Sequence, residues 1–138
     1  MIKNRWLLCL TLCLCTSWLG CGSDDTLNRQ AVSGTVQFEG EPLNHGSISL
    51  EPAGEGATIA GGATIEDGNF AIPAERGLPP GKYQVRVSSA DDTGKTVEVP
   101  GESNKLAAER IPPEWNSNSQ QTLQVEDGAE NHFDLKIP

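Results

Sequence analysis

Short runs in which apolar and polar residues alternate, each closed by a Gly, Pro or Asp-Gly signal, restrict this chain to β-structure. In Val32–Glu39, Val32, Val36 and Phe38 share one face while Ser33, Thr35, Gln37 and Glu39 share the other. The same period sends Ile48 and Leu50 inward, and then Tyr83, Val85 and Val87, leaving Lys82, Gln84 and Arg86 outward. Near the end, Leu123 and Val125 alternate with Gln124 and Glu126, and Phe133, Leu135 and Ile137 alternate with Asp134 and Lys136. Successive side chains of a strand point to opposite faces, so each run predicts one dry and one wet face.

Turn signals fall between the runs. Asp67-Gly68 lies between Ile65 and Phe70 and suits a tight hairpin, because both residues tolerate positive φ. Gly40-Glu41-Pro42 ends the first run and Asp127-Gly128 separates the last two. No sustained helical stripe occurs after residue 31, and Leu106–Arg110 offers one turn at most. Gly61-Gly62 reads as an interruption or bulge in a strand. The expected fold is an all-β, antiparallel, two-sheet sandwich of seven or eight strands over residues 32–138, long enough for one modest core.

All four cysteines (Cys9, Cys13, Cys15 and Cys21) precede residue 22. Lys3 and Arg5, an apolar run from Trp6 to Leu19 and the small Gly20 form the three-part layout of a signal peptide. The run is too short for a permanent span, which needs roughly 20 apolar residues. Leu19-Gly20-Cys21 resembles the bacterial lipobox, which implies cleavage of residues 1–20, lipidation of Cys21 and attachment to a membrane of the cell envelope. Residues 21–31, small and polar, form the expected tether. Loss of residues 1–20 removes Lys3 and Arg5 but no carboxylate, so the net charge moves from −9 to −11. An acidic surface repels phosphate backbones, which disfavours nucleic acid as a partner.

The stretches Val32–Pro52, Gly62–Ser89, Glu109–Ser117 and Asn131–Ile137, above all Gly77-Leu78-Pro79-Pro80-Gly81-Lys82-Tyr83-Gln84-Val85, resemble the small planctomycete-type lipoproteins with a carboxypeptidase regulatory-like domain. The resemblance implies a transthyretin-like (Ig-like) sandwich and no particular activity, since fold alone does not supply function. The histidine-rich site and tyrosine-containing tail of the fold's hydrolase branch are not matched. In the same segment Pro79-Pro80 sets an extended approach and Tyr83 enters a strand, its ring covering core and its hydroxyl free to find a partner.

Candidate chemistry is sparse. His45 lies in a turn and His132 on a wet face, neither with a second histidine at metal-ligand spacing. The pairs Asp24-Asp25, Glu66-Asp67, Asp91-Asp92 and Glu126-Asp127 are neighbours in sequence, so in a strand they point apart. None matches a calcium loop, leaving only a site assembled from several loops. No nucleophile, base and orienting residue can be placed by local spacing, so no enzyme, cofactor or metal site is expected. Residues 100–119 show no strand pattern, and a connection so long is uncommon unless functional or packed in its own way. It holds Trp115, the only tryptophan after the leader. With Asn116, Asn118 and Gln120 it could form a platform for a sugar ring; the competing expectation is that Ile111, Pro112, Pro113 and Trp115 cover an open end of the core. The function expected is that of an anchored, noncatalytic structural or interaction module. A carbohydrate- or peptidoglycan-binding module, then a calcium-dependent adhesion element, are its alternatives.

Overall fold

Residues 26–98, 100–101 and 105–138 are described by the computed structural model; Cys21 and the leader lie outside them. Each alternating run becomes a strand. In chain order they are β1 (Val32–Phe38), β2 (Glu41–Pro42), β3 (His45–Pro52), β4 (Gly61–Glu66), β5 (Asn69–Ile72), β6 (Gly81–Ser88), β7 (Thr96–Glu98), β8 (Lys105–Ala107), β9 (Thr122–Val125) and β10 (Asn131–Ile137). Among the described residues, two single 3-10 turns, Ala74–Arg76 and Pro113–Trp115, interrupt the connections. Among the described residues no helix is long and apolar enough to cross a membrane.

The main sheet runs β10-β1-β5-β4-β3-β6-β9, with β2 beside β1. β4 and β5 join at the Asp67-Gly68 hairpin but pair only through Glu66 and Asn69. The ladder therefore parts into two halves that curl over each other as a sandwich. Val32, Val36, Phe70 and Ile72 from one half meet Ile48, Leu50, Ile65, Tyr83, Val85, Val87, Leu123 and Val125 from the other in a single buried core. Among the described residues the buried core runs from Val32 to Ile137, and a chain starting at Thr26 contains all of these positions. Tyr83 is fully buried and its hydroxyl donates to Pro79 O at 2.9 Å, which satisfies the one polar atom the ring carries inward.

Three expectations need correction. Most pairs are antiparallel, but β1 and β10 run parallel, in register from Val32–Asn131 to Phe38–Ile137. Alternation reports faces and not direction, and the path of the connection alone decides which way a distant strand returns. Gly61-Gly62 makes no bulge: both pair regularly with Leu50 and Ser49 of β3. A Cβ on Gly62 would lie 2.6 Å from Ile48 O, so the glycine permits close approach of the backbones. Finally, residues 100–119 are not all irregular, and Leu106–Arg110 is no helical turn. β8 pairs with β7 as a separate hairpin arm, Ala90 bridges Glu109, and these additions bring the strands among the described residues to ten rather than seven or eight. Three-residue strands carry too little alternation to be seen, and the partner that makes Leu106 a strand residue, Val97, is nine positions away.

The outer face of β1 and β10 is a ladder of polar pairs. Ser33 Oγ lies 3.1 Å from His132 Nδ1, and Thr35 Oγ1 donates to Asp134 Oδ1 at 2.6 Å. That hydroxyl bond holds the Asp134 carboxyl below the ordinary carboxylate range, opposed by partial desolvation and helped by His132 and Lys136. A depressed folded pKa contributes stability that is present above the unfolded value and lost as pH falls through the folded one. Thr35→Val should therefore raise the Asp134 pKa toward the ordinary value, as followed by carboxyl-carbon NMR titration; an unchanged midpoint would assign the shift elsewhere.

Candidate functional site

The chain enters the sandwich at one pole. Gln30 N donates to Leu78 O at 2.8 Å and Leu78 N returns the bond at 3.0 Å, while the Gln30 amide reaches Asp127 Oδ1 and accepts from Gly128 N at 3.1 Å. The tether is thus gripped before β1 begins. β1 then runs about 20 Å, at roughly 3.3 Å per residue, to the opposite pole. There Phe38, the start of β3, the end of β6 and the base of the β7–β8 arm come together.

This far pole is braced by two residues that sequence patterns did not single out. The Glu109 carboxylate accepts from Ser88 Oγ at 2.5 Å, Ser89 N and Ile111 N at 2.9 Å each, and Asn116 Nδ2 at 3.1 Å. Arg110 donates through Nε to Ser89 Oγ at 2.8 Å and through its terminal nitrogen to Asn44 Oδ1. Ser89 Oγ in turn donates to His45 O at 2.6 Å, and His45 Nε2 sits 3.1 Å from Ala90 O. A Glu-Arg pair has no distinctive sequence spacing; these contacts depend on β3, β6 and the 108–121 connection meeting in space.

The connection also finishes the edge of β6. β9 pairs with Gly81–Gln84 only. Beyond it, Val85 N donates to Gln121 O at 2.8 Å, Val85 O accepts from Ser119 Oγ at 2.5 Å, and Val87 O accepts from Asn116 Nδ2 at 2.8 Å. Side chains and one carbonyl stand in for the missing strand, giving partners to Val85 N, Val85 O and Val87 O.

Within this segment Ile111 is buried at 3 % exposure and Trp115, on the 3-10 turn Pro113–Trp115, packs half-buried against the core. The Asn116 amide is committed to Val87 and Glu109. Asn118 and Gln120 are exposed. Of the four residues expected at a sugar platform, two are thus engaged by the fold and two face solvent.

The described residues form, among others, two concavities. A trough of ≈ 830 Å³ lies where β4 and β5 part, its polar lining supplied by Ser47, Ser49, Thr64, Glu66, Asn69 and Arg76 and its apolar lining including Ile48 and Phe70. A cleft of ≈ 470 Å³ at the far pole is bordered by Phe38, Glu39, Asp91, Asp92, Lys95 and Arg110. In it the Asp91 carboxyl is held below its usual range, first by the Thr93 hydroxyl and then by the Thr93 amide at 2.7 Å, with Lys95 3.8 Å away. Among the described residues no group of three His, Cys, Asp or Glu side chains is placed to hold a metal ion.

On the β1–β10 face, Asp134 Oδ1 lies 3.5 Å from His132 Nε2, so Ser33, His132 and Asp134 form a chain of contacts. Register on neighbouring strands brings them together. The backbone amides of the ladder around them lie in the sheet plane.

The fold defines an all-β sandwich-like domain with a projecting hairpin. No protein-family model, curated protein or solved structure matches the chain.

Proposed function

We propose that the chain is a lipid-anchored lipoprotein of the cell envelope whose role is noncatalytic presentation: a rigid sandwich holds an interaction surface away from the membrane. One observation carries this reading. The tether enters beside Gln30 and Leu78, whereas the β7–β8 arm leaves at the opposite pole and bears the exposed cross-strand pair Val97 and Leu106, 48 % and 51 % accessible. A two-stranded hairpin is marginal by itself, so an arm that exposes its apolar pair suits contact with a partner. The Leu19-Gly20-Cys21 sequence supplies the anchor, since several acyl chains at ~0.8 kcal/mol per buried methylene hold far more firmly than one.

Cys21→Ala should move the protein from the membrane to the soluble envelope fraction, and metabolic labelling with a fatty acid should be lost with it. Tight membrane association of the variant would overturn the anchor. Double replacement of Val97 and Leu106 by Ser should leave both membrane attachment and melting temperature within a few degrees of the parent, because neither side chain belongs to the core.

A further inference from the structure

The two ends of the main sheet are unequal. β9 is a four-residue strand, whereas β10 spans seven residues, and among the described residues no strand pairs with it beyond β1. Long open edges offer a row of backbone donors and acceptors to another chain. Glu39 N donates to Ile137 O at 3.0 Å, so the odd-numbered positions of β10 turn their backbone groups toward β1. By the alternation of the ladder, Asp134 and Lys136 turn theirs outward. Phe133 and Leu135, on the inner face, are only half-buried.

Charge along this edge distinguishes the ways a second strand can pair. In an antiparallel pair of identical edges, a two-fold at Asp134 would set carboxylate against carboxylate. A two-fold at Phe133 would require the His132 amide, which is already bonded to Glu130 O at 3.1 Å. A two-fold at Leu135 sets Asp134 against Lys136 twice, each pair exchanging two backbone bonds. It also faces Leu135 with Leu135, and Phe133 with Ile137, on the apolar side. It leaves His132 opposite Pro138, a residue with no N–H to place. Lysine usually guards an open edge by bringing an unpaired charge to any added strand. Here that charge meets a carboxylate, so the guard excludes other registers and accepts this one.

We infer that β10 is a self-association edge: two copies of this chain pair it antiparallel about a two-fold at Leu135, extending the β10-β1-β5 half of the sandwich into a sheet across both chains. The interface is isologous, small and partly polar. It assembles reversibly, with a mass in sedimentation equilibrium that rises from one chain toward two between ~1 µM and ~1 mM, the range of a weak interface.

The test uses residues 26–138, which include every core residue found among the described residues. At high concentration, amide exchange should slow at Asp134 and Lys136 but not at His132. Lys136→Glu should stay monomeric while keeping the parent circular-dichroism spectrum, and the exchange Asp134→Lys with Lys136→Glu should restore pairing, because it restores opposite charges. A parent that remains monomeric at ~1 mM overturns the inference. So does a dimer indifferent to Lys136→Glu, which would assign association to another surface such as the Val97–Leu106 arm. Loss without rescue by the double exchange would overturn the Leu135 register. None of these outcomes depends on whether Cys21 is lipidated.

Discussion

Gly34→Ala should destabilise the fold severely, by ~4 kcal/mol or more. Gly34 sits in the middle of β1 with β10 on one side and β5 on the other, opposite Phe133 and Phe70. A Cβ there would lie 2.0 Å from Phe133 O and 2.7 Å from a ring carbon of Phe70. The ring could turn away, but the carbonyl belongs to the parallel ladder, and moving it breaks the pairing that closes the sandwich. Overpacking of side chains commonly costs 1–3 kcal/mol. A backbone clash in the central strand should exceed that, at ~4 kcal/mol or more, against a total stability of ~5–15 kcal/mol for a domain. Urea and thermal melts followed by circular dichroism would show an unfolded baseline or a midpoint lowered by ~20 °C. Ser33→Ala, one residue away on the wet face, should melt within a few degrees of the parent. A Gly34→Ala protein that melts like the parent would show that β10 does not lie against β1 as described.

The second large effect belongs to Glu109. Its side chain is exposed, yet its two oxygens serve four donors, two of them the backbone amides of Ser89 and Ile111. Glu109→Ala strands those amides beside buried neighbours, and each unsatisfied buried donor costs about 1–3 kcal/mol. We expect a loss of ~3 kcal/mol, which for a domain of this size lowers the melting temperature by roughly 15 °C. Glu109→Gln keeps an acceptor for the amides but turns an NH2 toward Asn116, which also donates, so it should fall between parent and Ala. The same variants should redden the emission of Trp115, because the segment that carries the ring is tied down through Asn116. Parent-like melting of Glu109→Ala would show that water replaces the carboxylate at no net cost.

The strand faces were legible because burial on one side of a sheet leaves a period of two in the sequence. Tyr83, Val85 and Val87 point inward as expected, and His132 faces solvent as alternation requires. The Asp67-Gly68 hairpin was legible from turn chemistry, with both residues at positive φ. Ile111 and Trp115 pack against the core, while Pro113 of the same segment is exposed. The bracing residues were not legible. Glu109 and Arg110 look like ordinary surface charges until the chain brings Ser89, Asn44 and Ile111 beside them. The β7–β8 arm was missed for a related reason: its stability comes from a register between short segments, and each alone shows no pattern.

From the sequence come the β-class, the two faces of each long strand, the principal hairpin turn and the placement of every cysteine before the domain. These are local properties, set by side-chain period, backbone φ preference and position along the chain. Tertiary structure alone decided that the first and last long strands lie parallel, that the sheet parts between β4 and β5, and that Asn116 serves the edge of β6. It also decided that, among the described residues, β10 pairs with β1 alone. Each of these depends on residues far apart in the chain meeting in one register, and a periodic pattern carries no information about which distant partner a strand will find.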